Sequence, residues 1–413
     1  MSTQPNSIKQ FFINKEFAWY VWARIIFIAG IRMTPVLLGW KLYEITGSKL
    51  SLGILGLSEV IPAILLALPA GVKVDQSNKQ RLISICIFCY LLIMLLMLLV
   101  TSNYFLLRVP TPAIEWSIYL LVFATGAVRA YSSPAFNAFL AQLVKQEELV
   151  RATSINSMAW LMAAVTGPAL GGLLLGYTNI TLAFIIVSSM VFLSLLLMQK
   201  VAQKPITYDP GKTKTWDSVK EGLQFVLHQK ALLGSMTLDM FAVLFGGAVA
   251  LLPVFAKDIL HVGPQGLGWL MAATYLGNFV AIALLTWKPL RNNQGKKLFY
   301  VVAGFGICII IFALSKSFVL SFAALFVSGL FDGVSVIIRG TVLQLFVPNE
   351  MRGRVSSVSS IFINSSNELG QFESGVAASL MGTVPSVVFG GCMTLLVTII
   401  TWLKAPGLRK LEY

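Results

Sequence analysis

The stretch QLVKQEELVRATS, residues 142–154, has a second copy later in the chain, QLFVPNEMRGRVSS at residues 344–357. Gln142 corresponds to Gln344, and Arg151 corresponds to Arg354 after one inserted residue. Each copy is a polar loop between two long apolar stretches. A repeat of this kind predicts that the chain consists of two related halves, with this loop at the same place in each.

Apolar stretches surround both copies and recur along the 413 residues, of which 57% are hydrophobic and 12% are charged. Each stretch holds roughly 20 residues, enough to cross a hydrocarbon core of about 30 Å as a helix. We predict twelve such spans, at residues 17–46, 50–72, 82–101, 114–142, 153–177, 180–199, 231–256, 265–287, 298–315, 318–346, 355–381 and 384–404. The predicted fold class is therefore an all-α integral membrane protein with two pseudo-symmetric six-helix bundles.

The distribution of basic residues predicts the topology. The net charge is +14, and the basic residues that cause it are unevenly distributed. Alternate loops hold 22 Lys and Arg residues, and the loops on the other side hold four. By the positive-inside rule both termini lie in the cytoplasm, so the basicity does not indicate nucleic-acid binding. We predict an N-terminal bundle at residues 1–199, a cytoplasmic linker with an interfacial helix at residues 200–230, and a C-terminal bundle at residues 231–413. The polar N-terminus leads into a long apolar helix, which predicts no cleavable signal.

The sequence offers little to support an enzyme, a cofactor or a metal site. All four cysteines lie in apolar spans, and we interpret the Cys86/Cys89 pair as small packing residues. His228 and His261 fall near loops, and no nucleotide-binding, metalloprotease or hydrolase motif is present. We therefore predict a non-enzymatic protein without cofactor or metal.

Ionisable residues inside the spans indicate a functional pathway, because a charge at the bilayer centre is costly and usually faces a partner or a cavity. Four basic and five acidic residues lie inside the predicted spans, and these similar numbers suggest that they pair. They are Arg24, Arg32, Arg129, Arg339, Glu59, Asp239, Asp332, Glu368 and Glu373. A weaker repeat match sets Leu52-Gly53 against Leu267-Gly268, and it makes Arg24 and Asp239 equivalent. We expect these two to approach each other across a cavity and to separate as it opens.

Two local motifs carry a resemblance to a known family. GVKVDQSNKQR, residues 71–81, resembles the cytoplasmic loop signature of the major facilitator superfamily, with Gly71, Asp75, Lys79 and Arg81 at the expected positions and Asn78 in place of a later glycine. GPALGG, residues 167–172, resembles the antiporter motif of the same superfamily through Gly167, Pro168, Gly171 and Gly172. Longer stretches such as GAVRAYSSPAFNAFLAQLV and MRGRVSSVSSIF resemble its enterobactin-exporter-like branch.

The resemblance implies roles for particular residues. Asp75 would meet the start of span eleven near Arg354 and Ser356, as a latch that holds the halves together when the outside is open. GPALGG either bends its span to shape a gate or simply allows close helix packing. Arg129 resembles an arginine that the family uses in proton coupling, and structural pairing is the alternative. The position of Glu59 in span two, apart from the resemblance, leaves two interpretations: a proton carrier, or a side chain that reaches towards the outer interface.

The repeat also places the two carboxylates of span eleven. It sets Gly370 and Gly375 against Gly167 and Gly172, so GQFESG is the counterpart of GPALGG; Glu373 lies within it, and Glu368 lies just upstream, at the position of Val165. Five residues on a helix correspond to about 140° of rotation, so the two carboxylates need not share a partner. We expect Glu368 to face the cavity and Glu373 to meet a neighbouring helix or the outer vestibule.

The leading hypothesis is a monomeric secondary transporter of a bacterial inner membrane that exports a siderophore- or drug-like molecule by proton antiport and alternating access. Asp239 or Glu368 is the expected proton carrier. Two alternatives stay open, a lipid or lysolipid flippase and a membrane sensor or scaffold that keeps the fold but moves nothing.

Overall fold

Twelve long helices form the described part of the protein. The computed structural model describes residues 14–206, 215–288, 290, 292–348 and 351–412, and all regular structure within them is helical. We number the long helices α1 to α12, and in chain order they are Lys15–Thr46, Lys49–Gln76, Lys79–Val100, Thr111–Leu143, Leu149–Tyr177, Ile180–Gln199, Lys230–Gly246, Gly263–Trp287, Gln294–Leu314, Phe318–Phe346, Arg352–Met381 and Thr383–Lys404. A separate linker helix, Thr215–His228, follows α6 where the sequence predicts an interfacial helix. Four basic residues used for the topology lie outside the described residues: Lys9, Lys212, Lys214 and Arg291.

The helix α11 shows why apolarity alone undercounts the spans. In the described chain eleven helical segments are long and apolar enough to cross a membrane. The helix α11 is not among them, because polar and charged residues such as those of NSSNELGQFESG lower its hydropathy. It is nevertheless a helix of 30 residues that packs along α2 and α7. Each of the twelve predicted spans therefore corresponds to one long helix.

Polar side chains define several helix starts. The side chains of Ser48, Asn78 and Asn179 accept hydrogen bonds from the backbone N–H groups of Ser51, Arg81 and Leu182. These bonds satisfy donors that have no partner in the first turn of a helix. Asn78 is the residue that replaces the expected glycine of the loop signature, and its role as the cap of α3 explains that departure.

The two halves, α1–α6 and α7–α12, share apolar packing near one end of the bundle. The first and last described residues, Asn14 and Glu412, and the linker helix lie at one end, which we call the terminal end, and residues 47–48, 178–179 and 260–262 lie at the opposite end. One buried apolar cluster runs from the first half into Phe255 and Leu267 of the second half. A second cluster, built on residues such as Leu232, Phe299 and Val342, joins the second half to the linker helix through Val226.

Glycines allow the halves to approach closely in two places near the opposite end. A Cβ added to Gly53 of α2 would lie 3.1 Å from the Cα of Gly375 in α11, and one added to Gly172 of α5 would lie 2.6 Å from the Cα of Gly268 in α8. The sequence repeat makes Gly53 equivalent to Gly268 and Gly172 equivalent to Gly375. These contacts, which we call the α2–α11 seam and the α5–α8 seam, are therefore related as a pseudo-twofold arrangement of the halves requires.

Candidate functional site

A charged cluster of three side chains, the central bridge, joins the two halves. Arg129 of α4 donates through Nη1 to Oε1 of Glu59 in α2 at 2.6 Å. Through Nη2 it donates to Oε1 of Glu368 in α11 at 2.7 Å. The first contact stays within the first half and the second crosses to the other half. Gly126, one turn before Arg129, lets the backbones of α4 and α2 cross closely at Glu59, which places the two side chains together.

The central bridge holds two carboxylates against one guanidinium. Arginine remains protonated in proteins, so Glu59 and Glu368 are the members that can change charge. The second oxygen of Glu368, Oε2, is buried and has no hydrogen-bond partner among the described residues. A buried carboxylate oxygen without a partner is costly. The arrangement can therefore accept a proton at Glu368, and that proton would weaken the link between the halves.

A second charged cluster, the second-half cluster, lies within α7, α8 and α10. Arg339 of α10 forms an ion pair with Asp239 of α7, and its Nη2 lies 3.7 Å from Oδ1 of Asp332. The amide nitrogen of Asn278 in α8 donates to Oδ2 of Asp332 at 2.9 Å. This cluster also balances one arginine against two carboxylates, but all its members belong to one half.

Arg24 and Asp239, which we expect to approach each other and to separate as the cavity opens, do not contact each other in this structure. Arg24 donates to the hydroxyl of Tyr20 at 2.8 Å and to Oδ1 of Asn137 at 3.1 Å, whereas Asp239 pairs with Arg339. The repeat explains the difference. Arg24 and Asp239 are equivalent positions, and Asn137 and Arg339 are equivalent to within one residue, so each half makes the same first-to-fourth helix contact internally.

Arg32 has aromatic neighbours from both halves. Its Nη1 donates to the hydroxyl of Tyr275 in α8 at 3.2 Å. Its Cζ lies 5.3 Å from the ring centroid of Trp160 in α5 and 5.6 Å from that of Tyr275. These distances are within the range of cation–π attraction. The expected pairing of four arginines with five acids is thus only partly present, because Arg24 and Arg32 have no carboxylate partner among the described residues.

Glu373 differs from Glu368 in its surroundings. It is partly exposed near the opposite end, and its carboxylate is 3.5 Å from the hydroxyl of the adjacent Ser374. It forms no ion pair within the part of the chain that the structure describes. The two carboxylates of α11 therefore have different partners.

The loop signature after α2 is divided between surface and interior. Asp75 and Arg81 are exposed, Gly71 is partly exposed and Lys79 is buried. Asp75 forms no ion pair with any described residue. The side chains of Arg354 and Ser356, its expected partners, lie outside the described residues, so the latch stays a prediction.

GPALGG packs against both halves. A Cβ added to Gly167 would lie 2.6 Å from the Cβ of Arg32, and one added to Gly171 would lie 3.2 Å from the Cα of Met33, both in α1. The carbonyl of Pro168 faces Gly268 of α8, as does Gly172. Close packing of small residues, one of the two interpretations of this motif, is what these contacts show.

Several residues of the site escaped the sequence analysis because they are uncharged. Asn137, Asn278, Trp160 and Tyr275 complete contacts of the charged residues, yet a search for ionisable groups passes over them. An amide and a phenol within the apolar α8, at Asn278 and Tyr275, are the signal that could have identified two of them. Among the described residues no group of three His, Cys, Asp or Glu side chains is placed to hold a metal ion.

Two six-helix halves that meet at one end over buried charges define a multi-pass membrane transporter. The family model of the Major Facilitator Superfamily matches residues 21–366 and 240–411, and the chain belongs to this superfamily.

Individual relatives are distant. The uncharacterized MFS-type transporter YfiS of Bacillus subtilis (strain 168) is 24% identical over 382 residues, covering 87% of this chain and 85% of that protein. The enterobactin exporter EntS of Shigella flexneri is 25% identical over 303 residues, covering 73% and 71%. A crystal structure of a mutant of the nucleoside transporter NupG matches with a TM-score of 0.78 at 10% identity, covering 94% of this chain and 99% of that one. The recognition of the superfamily, the resemblance to its enterobactin-exporter-like branch, and the predicted fold class are confirmed.

Proposed function

We propose that the protein exports a small organic molecule across a bacterial inner membrane by proton antiport and alternating access. The observation that carries this proposal is the central bridge, in which Arg129 of one half is bound to Glu368 of the other. The similarity to an enterobactin exporter favours a siderophore-like cargo and outward transport.

The central bridge supplies a reason for obligatory exchange. By the positive-inside rule the terminal end faces the cytoplasm, so a structure with the seams closed at the opposite end is the inward-facing state. In this state Arg129 and Glu368 hold the halves together. A proton on Glu368 removes its charge, and cargo that binds either partner competes for the same bond. Either ligand thus permits reorientation, while the empty carrier with an intact bridge stays inward-facing.

The competition sets the order of the proposed cycle. Cargo enters from the cytoplasm, displaces the bond between Arg129 and Glu368, and is carried to the outside. There a proton binds Glu368 as cargo leaves, and the protonated carrier returns. Release of the proton to the less acidic cytoplasm restores the bridge. Arg129 keeps its charge throughout and remains paired with Glu59, so the first half moves as one body.

Inverted vesicles test this cycle. Vesicles with an acidic interior and a trapped pH-sensitive dye receive enterobactin, or members of a panel of drug-like molecules, from the outside. We expect wild-type vesicles to lose protons as cargo enters. In Glu368→Gln, which cannot ionise, cargo-dependent proton loss should disappear while downhill exchange of cargo persists.

The chain offers a matched control on the same helix. Glu373→Gln makes the same chemical change five residues further along α11, at a carboxylate without an ion pair, and should keep the coupling. If coupling survives in Glu368→Gln but is lost in Asp239→Asn, the proton-binding site lies in the second-half cluster and not at Glu368. Wild-type protein that moves no compound in the panel would favour a sensor or scaffold, and competition by lysolipids would favour a flippase.

A further inference from the structure

Arg32 carries a charge that the protein leaves available. Its guanidinium has five N–H donors and makes one hydrogen bond among the described residues, to Tyr275. No carboxylate of the described residues lies within ion-pair distance of it. The side chain is partly exposed. An arginine held in the middle of a membrane protein without an acidic partner is costly, which indicates a functional role.

The aromatic neighbour Trp160 is open to the space between the halves. Its residue is 37% exposed, although it lies in α5 near the middle of the bundle. Gly167 follows seven residues later, about two helical turns, and so lies on nearly the same face of α5. That face meets α1, because a Cβ at Gly167 would lie 2.6 Å from the Cβ of Arg32. The exposed surface of Trp160 therefore faces the interior of the transporter and not the lipid.

The three side chains combine two kinds of recognition. The planar guanidinium fork matches a carboxylate or a pair of phenolic oxygens, and it repels cations. An indole ring with an open face stacks on another aromatic ring. The hydroxyl of Tyr275 fixes one edge of the guanidinium and belongs to the second half, so a ligand bound here would contact both halves.

We propose that Arg32, Trp160 and Tyr275 form a cargo site for an aromatic organic anion, in which Arg32 binds the acidic oxygens and Trp160 stacks on the ring. This inference rests on the proposed transport function and specifies its cargo class.

Equilibrium dialysis of the full-length protein in lipid nanodiscs tests the site without requiring transport. The probe is radiolabelled salicylate, with cyclohexanecarboxylate, which lacks the aromatic ring, and benzamide, which lacks the charge, as competitors. We expect salicylate to bind and to outcompete both. Arg32→Gln should raise its dissociation constant about tenfold or more, since a charge-assisted contact is lost. Arg32→Lys, which keeps the charge without the fork, should show a smaller loss.

One variant tests the aromatic contact separately from the charge, and a second serves as the control. Trp160→Leu should reduce the preference for salicylate over cyclohexanecarboxylate, because stacking is removed while the guanidinium remains. Arg108→Gln is the matched control, since Arg108 also bonds and overlies a tyrosine, Tyr104, but is exposed in the loop after α3. It should bind salicylate as the wild type does. Correct folding of each variant is checked by size-exclusion chromatography and thermal unfolding.

The outcomes distinguish this inference from the proposed function. Absence of salicylate binding in the wild type, equal binding in folded Arg32→Gln, or equal affinity for cyclohexanecarboxylate would overturn the site. Salicylate binding that depends on Arg32, without any cargo-driven proton movement in vesicles, would support the site and refute antiport. Proton-coupled transport of a cation that is unaffected by Arg32→Gln would support antiport and refute the site.

Discussion

A methyl group at Gly172 should open the end of the transporter that this structure holds closed. An added Cβ would lie 2.6 Å from the Cα of Gly268 and 2.6 Å from the carbonyl oxygen of Pro264, whereas ordinary contacts begin at 3.4 Å. The helices α5 and α8 must therefore separate by about 0.8 Å. Both obstacles are backbone atoms, so no change of rotamer can relieve the clash.

The magnitude follows from overpacking. Inserting a carbon into a tightly packed contact typically costs about 1–3 kcal/mol. The α5–α8 seam joins the halves, so the cost of Gly172→Ala falls on the state closed at the opposite end. A difference of about 1–3 kcal/mol corresponds to roughly 5- to 150-fold in an equilibrium. The population closed at the opposite end should fall relative to the open one by a factor in that range.

Alkylation of a single cysteine measures this shift. Gln265 of α8 contacts Gly176 of α5, so Gln265→Cys in a background without the four native cysteines reports on the seam. We expect Gly172→Ala to accelerate its reaction with a membrane-impermeant maleimide. The control is Gly340→Ala in α10, where an added Cβ meets nothing within 4 Å. An unchanged rate in folded Gly172→Ala would refute the seam as the closing contact.

Two further predictions concern other contacts of the same structure. Arg339→Gln leaves two carboxylates of the second-half cluster without their cation and should destabilise the protein by about 3–5 kcal/mol. Adding Asp239→Asn should recover part of that loss in thermal unfolding, and strictly additive effects would contradict the pairing. Tyr43→Phe removes the hydroxyl that bonds Asp258 across the halves. It should accelerate alkylation of Gln265→Cys, and an unchanged rate would show that this bond does not hold the opposite end closed.

The fold could be predicted from periodic features of the sequence that act over whole helices. Span length, the repeat and the charge bias each draw on many residues, so errors at single positions matter little. The helix α11 illustrates the point. It was predicted as one of the twelve spans although it is less apolar than the other eleven segments, and the repeat supports that prediction by setting it against span five. The glycine pairs of the two seams agree with that repeat, although the match that related Gly53 to Gly268 was the weaker one.

Pairwise contacts of the site could not be derived in the same way. A repeat states which positions are equivalent, and equivalent positions such as Arg24 and Asp239 lie in corresponding places of separate halves. Whether they touch depends on nearer partners. Asn137 and Arg339 provide such partners within each half, and an asparagine in an apolar span gives little sign of that role. The charged residues were thus identifiable, while the bonds between them were set by neutral neighbours and helix crossings.

The contacts between the halves are symmetrical in backbone but not in chemistry. The two seams exchange equivalent glycines, yet both arginines that reach across, Arg32 and Arg129, come from the first half. Their acceptors in the second half differ: Tyr275 offers a hydroxyl, and Glu368 offers a carboxylate. In the proposed cycle this asymmetry assigns the proton to the link made by Arg129 and leaves Arg32 free for an anion. A strictly symmetrical pair of links would give proton and cargo the same two sites, with nothing to separate their roles.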